Sequence, residues 1–139
     1  MVNTQVGYAL KQAQSLLHVR MEESLHPLGL TVSQYSCLHR LRREPGISAA
    51  GLARATFVTR QSMNAMLQQL IDRGLVARPT QAESGRALPA VLTDAGAEAL
   101  DNAQTLVDEV QERMLRGFTT AETAALERAL AACIRSLED

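Results

Sequence analysis

Ser48-Ala49-Ala50-Gly51-Leu52-Ala53-Arg54-Ala55, followed after three residues by Thr59-Arg60-Gln61-Ser62-Met63-Asn64-Ala65-Met66-Leu67-Gln68-Gln69-Leu70-Ile71-Asp72-Arg73-Gly74, is the stretch on which the fold turns. Ser48 suits the N-cap of a short helix from Ala49 to about Ala55, because its hydroxyl oxygen can accept one of the unpaired N–H groups of the first turn. Leu52 points inward from that helix. Thr59 caps a longer helix running to Arg73, on which Met63, Met66, Leu67, Leu70 and Ile71 form one apolar stripe. Gly74 supplies its left-handed terminus. Two short helices joined by about three residues make a helix-turn-helix. The face opposite the stripe carries Arg60, Gln61, Ser62, Asn64, Ala65 and Gln68. Alone, that pattern is the wet side of any amphipathic helix; after a turn and before a hairpin it becomes a candidate reader of base edges.

Outward toward the C-terminus, Leu75 to Arg78 and Ala87 to Leu92 are short and apolar, and the Pro-, Ser- and Gly-containing segment Pro79 to Arg86 separates them. They predict a β-hairpin wing. Pro89 has no N–H to give a ladder, so its strand should be an edge or locally irregular. From Thr93 a helix of about 24 residues follows, with Leu100, Ala103, Val107, Val110 and Met114 spaced nearly as a heptad seam. Thr119-x-x-Glu122 is a capping box opening the last helix, whose inward side carries Leu126, Leu130, Cys133, Ile134 and Leu137.

Outward toward the N-terminus, Thr31-x-x-Gln34 is another capping box, and Tyr35, Leu38 and Leu41 mark the inner side of the helix it opens, which Glu44-Pro45-Gly46 stops. Before it, Val6, Leu10, Ala13, Leu17, Met21 and Leu25 recur at three- and four-residue steps as one stripe of a long helix ended by Pro27 and Gly29. The first, fifth and sixth helices thus carry apolar stripes with too little other structure to cover them. A two-fold homodimer covers them more readily than a monomeric bundle folding its own ends together.

At 139 residues the chain fits one domain with its own core. Aromatic residues are only 3% against 46% hydrophobic overall, and the long Ala-, Leu-, Gln- and Arg-rich stretches favour helices. No apolar run approaches the eighteen or so residues of a bilayer span, and no secretory leader precedes the first helix, which predicts a soluble, cytoplasmic protein. Cys37 and Cys133 lack metal-type or redox-type spacing and read as small buried apolar side chains. The net charge of −1 conceals an asymmetry: residues 31 to 93 hold eight arginines against Glu44, Asp72 and Glu83, a net of +5, leaving −6 on the flanks. An excess of arginine confined to one segment fits a polyanionic partner.

The order of elements, with Leu30-Thr31-Val32-Ser33-Gln34-Tyr35, Ser48-Ala49-Ala50-Gly51-Leu52-Ala53, Leu67-Gln68-Gln69-Leu70-Ile71-Asp72-Arg73-Gly74-Leu75-Val76 and Leu92-Thr93-Asp94-Ala95-Gly96, resembles the MarR family of bacterial regulators over nearly the whole chain. The resemblance implies a mainly α fold with a small β-hairpin wing, in one domain spanning 1–139. In it, 31–93 is a winged helix-turn-helix lobe, and 1–30 and 94–139 supply dimerisation helices. It implies a sequence-specific regulator of double-stranded DNA, a repressor released by a small-molecule effector and bound to a pseudo-palindromic operator. The alternative is a winged-helix protein–protein interaction module without specific DNA binding. One departure is clear: where the family wing usually carries Asp-x-Arg, this chain has Ser84-Gly85-Arg86, which keeps the arginine for the minor groove but lacks its acidic neighbour.

Arginine suits guanine, and asparagine or glutamine suits adenine, so Arg60, Gln61, Ser62, Asn64 and Gln68 are the expected base-facing residues. Ser48, Arg54, Thr59 and Arg78 are expected at phosphates, fixing register without reading sequence. Family members commonly bind small, often aromatic, anions in a crevice between dimer helices and DNA-binding lobe, and by resemblance His18, Met21, Tyr35, His39 and Arg42 would line it. His18, Glu22 and His26 share one helix face, but zinc generally needs three or four protein ligands and the fifth helix has no His or Cys, so no metal or cofactor is expected. The family's peroxide-sensing cysteine in the first helix is missing too, and Cys37 reads as buried. No Gly-rich phosphate loop, nucleophile elbow or convergent carboxylate pair points to an enzyme.

Overall fold

The computed structural model describes residues 5–78 and 89–138. Six helices and one two-stranded ladder follow each other as α1 (Gln5–Leu25), a 3-10 turn (His26–Leu28), α2 (Val32–Arg43), α3 (Ala49–Ala55), α4 (Arg60–Asp72), β1 (Val76–Ala77), β2 (Val91–Leu92), α5 (Asp94–Met114) and α6 (Thr120–Leu137). Local chemistry sets the helix starts. Thr31 and Thr119 each form a complete capping box, and Ser48, Thr59 and Thr93 each accept the N–H three residues on. Each such cap contributes about 1 kcal/mol relative to alanine.

The helix ends are equally specific. Gly74 has φ +75, its N–H donates to the Ile71 carbonyl, and the Leu75 N–H reaches back to the Leu70 carbonyl, a Schellman closure that turns the chain from α4 into β1. The same closure ends α3, where Phe57 and Val58 donate to the Arg54 and Ala53 carbonyls. There the left-handed position is held by Phe57 at φ +60, which costs a non-glycine residue about 1–2 kcal/mol.

Where the sequence predicts strands over Leu75–Arg78 and Ala87–Leu92, the ladder is two residues long on each side, antiparallel, with Val76 opposite Leu92 and Ala77 opposite Val91. Pro89 lies before β2, outside the ladder, as its missing N–H requires. The predicted wing tip Ser84-Gly85-Arg86, and with it the expected minor-groove Arg86, lies outside the described residues. The fifth helix is 21 residues long rather than about 24. Leu115 caps it, and Gly117 at φ +92 turns the chain toward α6.

Leu25, Leu38, Leu52, Met63, Leu67, Leu70, Leu100 and Val107 are fully or almost fully buried in one cluster joining α1 to α5. At about 1.5–3 kcal/mol for each large apolar side chain taken from water, these positions dominate the stability of the unit. The wing is tied to this core through the start of α5. The Thr93 N–H donates to the Leu75 carbonyl at 3.1 Å, and its hydroxyl donates to the Gly74 carbonyl at 2.6 Å. So close an approach leaves no room for a side chain at Gly96, where a Cβ would stand 1.9 Å from the Leu75 oxygen.

Two stripes behave differently from the core of α4. On α1 only the C-terminal part is covered: Leu25 is buried, Met21 packs against the core, and Val6 and Leu10 lie open at 58% and 48% exposure. No residue of α6 is buried, and Ile134 and Leu137 are 59% and 85% exposed. The inward side expected for Leu126, Leu130, Cys133, Ile134 and Leu137 is therefore largely open in this protomer: Leu126 is half-buried and the other four are exposed. Cys133 is exposed, not buried as its residue type suggested, whereas Cys37 is buried with its Sγ 3.9 Å from Met63 Sδ.

Candidate nucleic-acid interface and effector crevice

The start of α3, the open face of α4 and the residue after β1 carry expected DNA-facing side chains, all exposed. Burial of Met63, Met66, Leu67 and Leu70 rolls α4 so that Arg60, Gln61, Ser62, Asn64, Ala65 and Gln68 all face solvent. Among the described residues Arg60, Gln61 and Asn64 have no side-chain partner, so their hydrogen-bonding groups are free. Gln68 is partly engaged, its amide donating to Asp72 at 2.9 Å, which holds its remaining donor and carbonyl outward. Thr59 is less free than expected of a phosphate ligand: its oxygen accepts from the Ser62 N–H at 3.0 Å and its proton goes to the Ser62 hydroxyl at 2.9 Å. The proton still available in that pair is on Ser62.

Ser48 accepts from the Gly51 N–H at 3.0 Å and keeps its own proton for an outside acceptor. Arg54, in the last turn of α3, and Arg78, just after β1, are exposed, and among the described residues neither is ion-paired. The surface is thus rich in unneutralised cations and amide groups. Arg73 does something else: its guanidinium donates to the Gly29 carbonyl at 2.7 Å and ties the end of α4 to the link between α1 and α2.

The crevice residues are brought together only in part. Tyr35 and His39 stack on α2 with ring centroids 5.8 Å apart and planes 19° from parallel. The Tyr35 hydroxyl donates to Gln104 at 2.8 Å, and Gln104 in turn donates to Asp108 at 2.8 Å, which fixes α2 against α5. Burial, and secondarily the charge of Asp108, raises the Tyr35 pKa, so the ring stays a phenol. Burial, reinforced by Arg43, Arg42 and Arg40, lowers the His39 pKa and favours the neutral imidazole. His39 Nδ1 is buried and, among the described residues, has no hydrogen-bond partner.

Arg42, expected to line the crevice, pairs with Asp101 of α5 at 2.5 Å on an open surface, where such a pair contributes about 0–1 kcal/mol. Met21 packs into the core, and His18 lies exposed on α1 with no bond to the Tyr35–His39 stack. Glu22, from the face that also carries His18 and His26, accepts from the Val32 N–H and so helps cap α2. Sequence reasoning missed Gln104 and Asp101, which lie 69 and 59 positions from their partners Tyr35 and Arg42, and with them Asp108, four residues beyond Gln104. It also missed a crevice of about 300 Å³ between α1 and α5, lined by Ala13, Leu16, Leu17, Val110 and Met114 with Arg20 and Arg113 beside them. Its visible signals were the apolar stripe of α1, which includes Ala13 and Leu17, and the heptad-like spacing of α5, which includes Val110 and Met114.

Comparison with known proteins agrees with this architecture. A family model described as MarR family matches residues 28–87. The HTH-type transcriptional repressor Rv2887 of Mycobacterium tuberculosis is 39% identical over 125 residues, which is 90% of each chain. The solved complex of that mycobacterial protein with DNA superposes with a TM-score of 0.79 at 34% identity, covering 96% of this chain and 98% of that one. Its complex with salicylic acid gives a TM-score of 0.78 at 37% identity over 96% and 97% of the two chains. On sequence identity and fold together, the chain belongs to the MarR family of winged helix-turn-helix transcriptional regulators.

Proposed function

We propose that this protein is a cytoplasmic, homodimeric repressor that binds a pseudo-palindromic operator in double-stranded DNA and carries no catalytic activity. The observation that carries the reading is the rolled orientation of α4: buried Met63, Met66, Leu67 and Leu70 opposite Arg60, Gln61 and Asn64, which are unpaired among the described residues. A B-form major groove accepts a helix and presents the donors and acceptors that such side chains pair with. Arg60, Gln61, Ser62, Asn64 and Gln68 would face bases. Ser48, Thr59, Arg54 and Arg78 would hold phosphates, and Arg86 would reach the minor groove.

In this reading residues 31–93 form the DNA-binding lobe, and 1–30 with 94–139 form the dimerisation region. The uncovered stripes of α1 and α6 support it, because a second copy related by a two-fold axis would bury them. The complex of the mycobacterial relative with salicylic acid supports a small aromatic or anionic effector. Tyr35, His39, Arg42, Met21 and His18 remain the proposed lining, with the open Nδ1 of His39 as a ready partner for a ligand polar group. Such a ligand releases DNA only by binding the two lobe arrangements with different affinity.

A mobility-shift titration with fragments from upstream of the protein's own and adjacent genes tests the assignment. Arg60→Ala and Arg86→Ala should each weaken binding by about 1–3 kcal/mol without dissociating the dimer. Binding should also fall steeply as salt rises, since each neutralised phosphate releases counterions. Unchanged affinity for both variants would defeat the site assignment.

A further inference from the structure

Phe57 sits in the turn between α3 and α4 with two features that are both unfavourable in an isolated protein. Its side chain is 95% exposed, the most open large apolar group among the described residues. Its backbone is at φ +60, and among the described residues it is the one non-glycine position with positive φ. Among the described residues the chain places Gly29, Gly46, Gly74 and Gly117 where it needs positive φ elsewhere. At 57 it keeps a bulky aromatic residue instead, at a cost in backbone strain and with no packing inside the protomer in return. Strain and exposure held together at one residue point to a contact outside the molecule.

The surroundings say what that contact is. Phe57 lies two residues before the Thr59 cap of α4, between Arg54 and Arg60, both exposed and unpaired among the described residues. No acidic residue occurs from Ile47 to Ile71. The ring therefore projects from the edge of the surface whose charge fits a polyanion. On the major-groove edge of a duplex the exposed apolar group is the 5-methyl of thymine, and phenylalanine is among the side chains that contact it.

We propose that Phe57 is a further specificity-determining residue that packs on a thymine methyl at the rim of the major groove, beside the bases read by Arg60 and Asn64. The inference rests on the reading of α4 as the base-facing helix. It adds an apolar, methyl-dependent component to recognition otherwise made of hydrogen bonds and phosphate contacts.

The test uses the full-length protein and short duplexes enriched by the wild type from a random-sequence library. Phe57→Gly and Phe57→Asn both tolerate positive φ and remove the ring, whereas Phe57→Leu keeps apolar bulk. Phe57→Gly should raise the melting temperature yet lower duplex affinity by about tenfold, the scale of losing one partly buried aromatic contact. Phe57→Asn should lose affinity similarly, and Phe57→Leu should retain most of it. Replacing thymines singly by uracil should cost the wild type several-fold at one position in each half-site and leave Phe57→Gly indifferent there. Equal duplex affinity for wild type and Phe57→Gly, or a uracil penalty shared by both at every position, overturns the proposal while α4 stays the reader. Failure of the wild type to enrich any duplex overturns both.

Discussion

α4 and α6 are amphipathic helices of similar design, each opened by a threonine cap, yet the protomer treats them in opposite ways. On α4 the apolar face is sealed into the core and the polar face is left free, with Arg60, Gln61 and Asn64 unpaired among the described residues. On α6 the apolar face is what remains open. A single protomer buries most of the first apolar face and leaves most of the second open. The free polar face is suited to a polyanion, and the free apolar face to another copy of the same surface.

The contrast breaks most severely through the open apolar faces. Leu130→Asp with Ile134→Asp should leave the helix-turn-helix lobe folded but dissociate the dimer, because burial of each such side chain contributes about 1.5–3 kcal/mol and recurs in both copies. Sedimentation should then give the mass of one protomer, and circular dichroism should remain helical. A dimer that survives both charges would mean that α6 is open for some other reason.

Next comes the joint between the two regions. Gly96→Ala places a Cβ against the Leu75 carbonyl at a distance no side chain tolerates. Urea unfolding should show a loss of about 3 kcal/mol, because the wing base or the start of α5 must move. A near-neutral result would show that the α5–wing joint is soft.

Smaller again is Tyr35→Phe, which removes the hydrogen bond to Gln104 and should cost about 1 kcal/mol. If this crevice binds the effector, salicylate affinity measured by calorimetry should change in the same variant. The smallest effect is a pH dependence. His39 has its pKa lowered in the folded state, so the unfolded chain binds more protons below the ordinary value of 6.5. Stability should be complete above that pH and decline as pH falls through it toward the depressed value, and His39→Gln should flatten that part of the profile.

Most of the architecture was legible because it is local. A cap is a contact over three residues, so Thr31, Ser48, Thr59 and Thr119 announce their helices without knowledge of the rest. The buried stripe of α4, and therefore its polar face, follows from periodicity alone. What could not be read depends on distant parts of the chain meeting. Tyr35 and Gln104 are 69 positions apart, Arg42 and Asp101 are 59 apart, and no pattern near either residue names its partner. Gly96 was visible as part of a familiar run, but the backbone approach that demands glycine is not. Phe57 was invisible because its residue type gives no hint of positive φ. Cys133 and the rest of the α6 stripe were read as inward when inward, for that helix, lies beyond the protomer.

Hydroxyl-radical footprinting of the purified protein on an enriched duplex tests the central claim most directly. Two protected half-sites are expected, centred roughly 34–36 Å apart, one helical turn, related by a dyad and both weakened together by Arg60→Ala. A single protected patch without symmetry, or a symmetric footprint that Arg60→Ala leaves untouched, would contradict it.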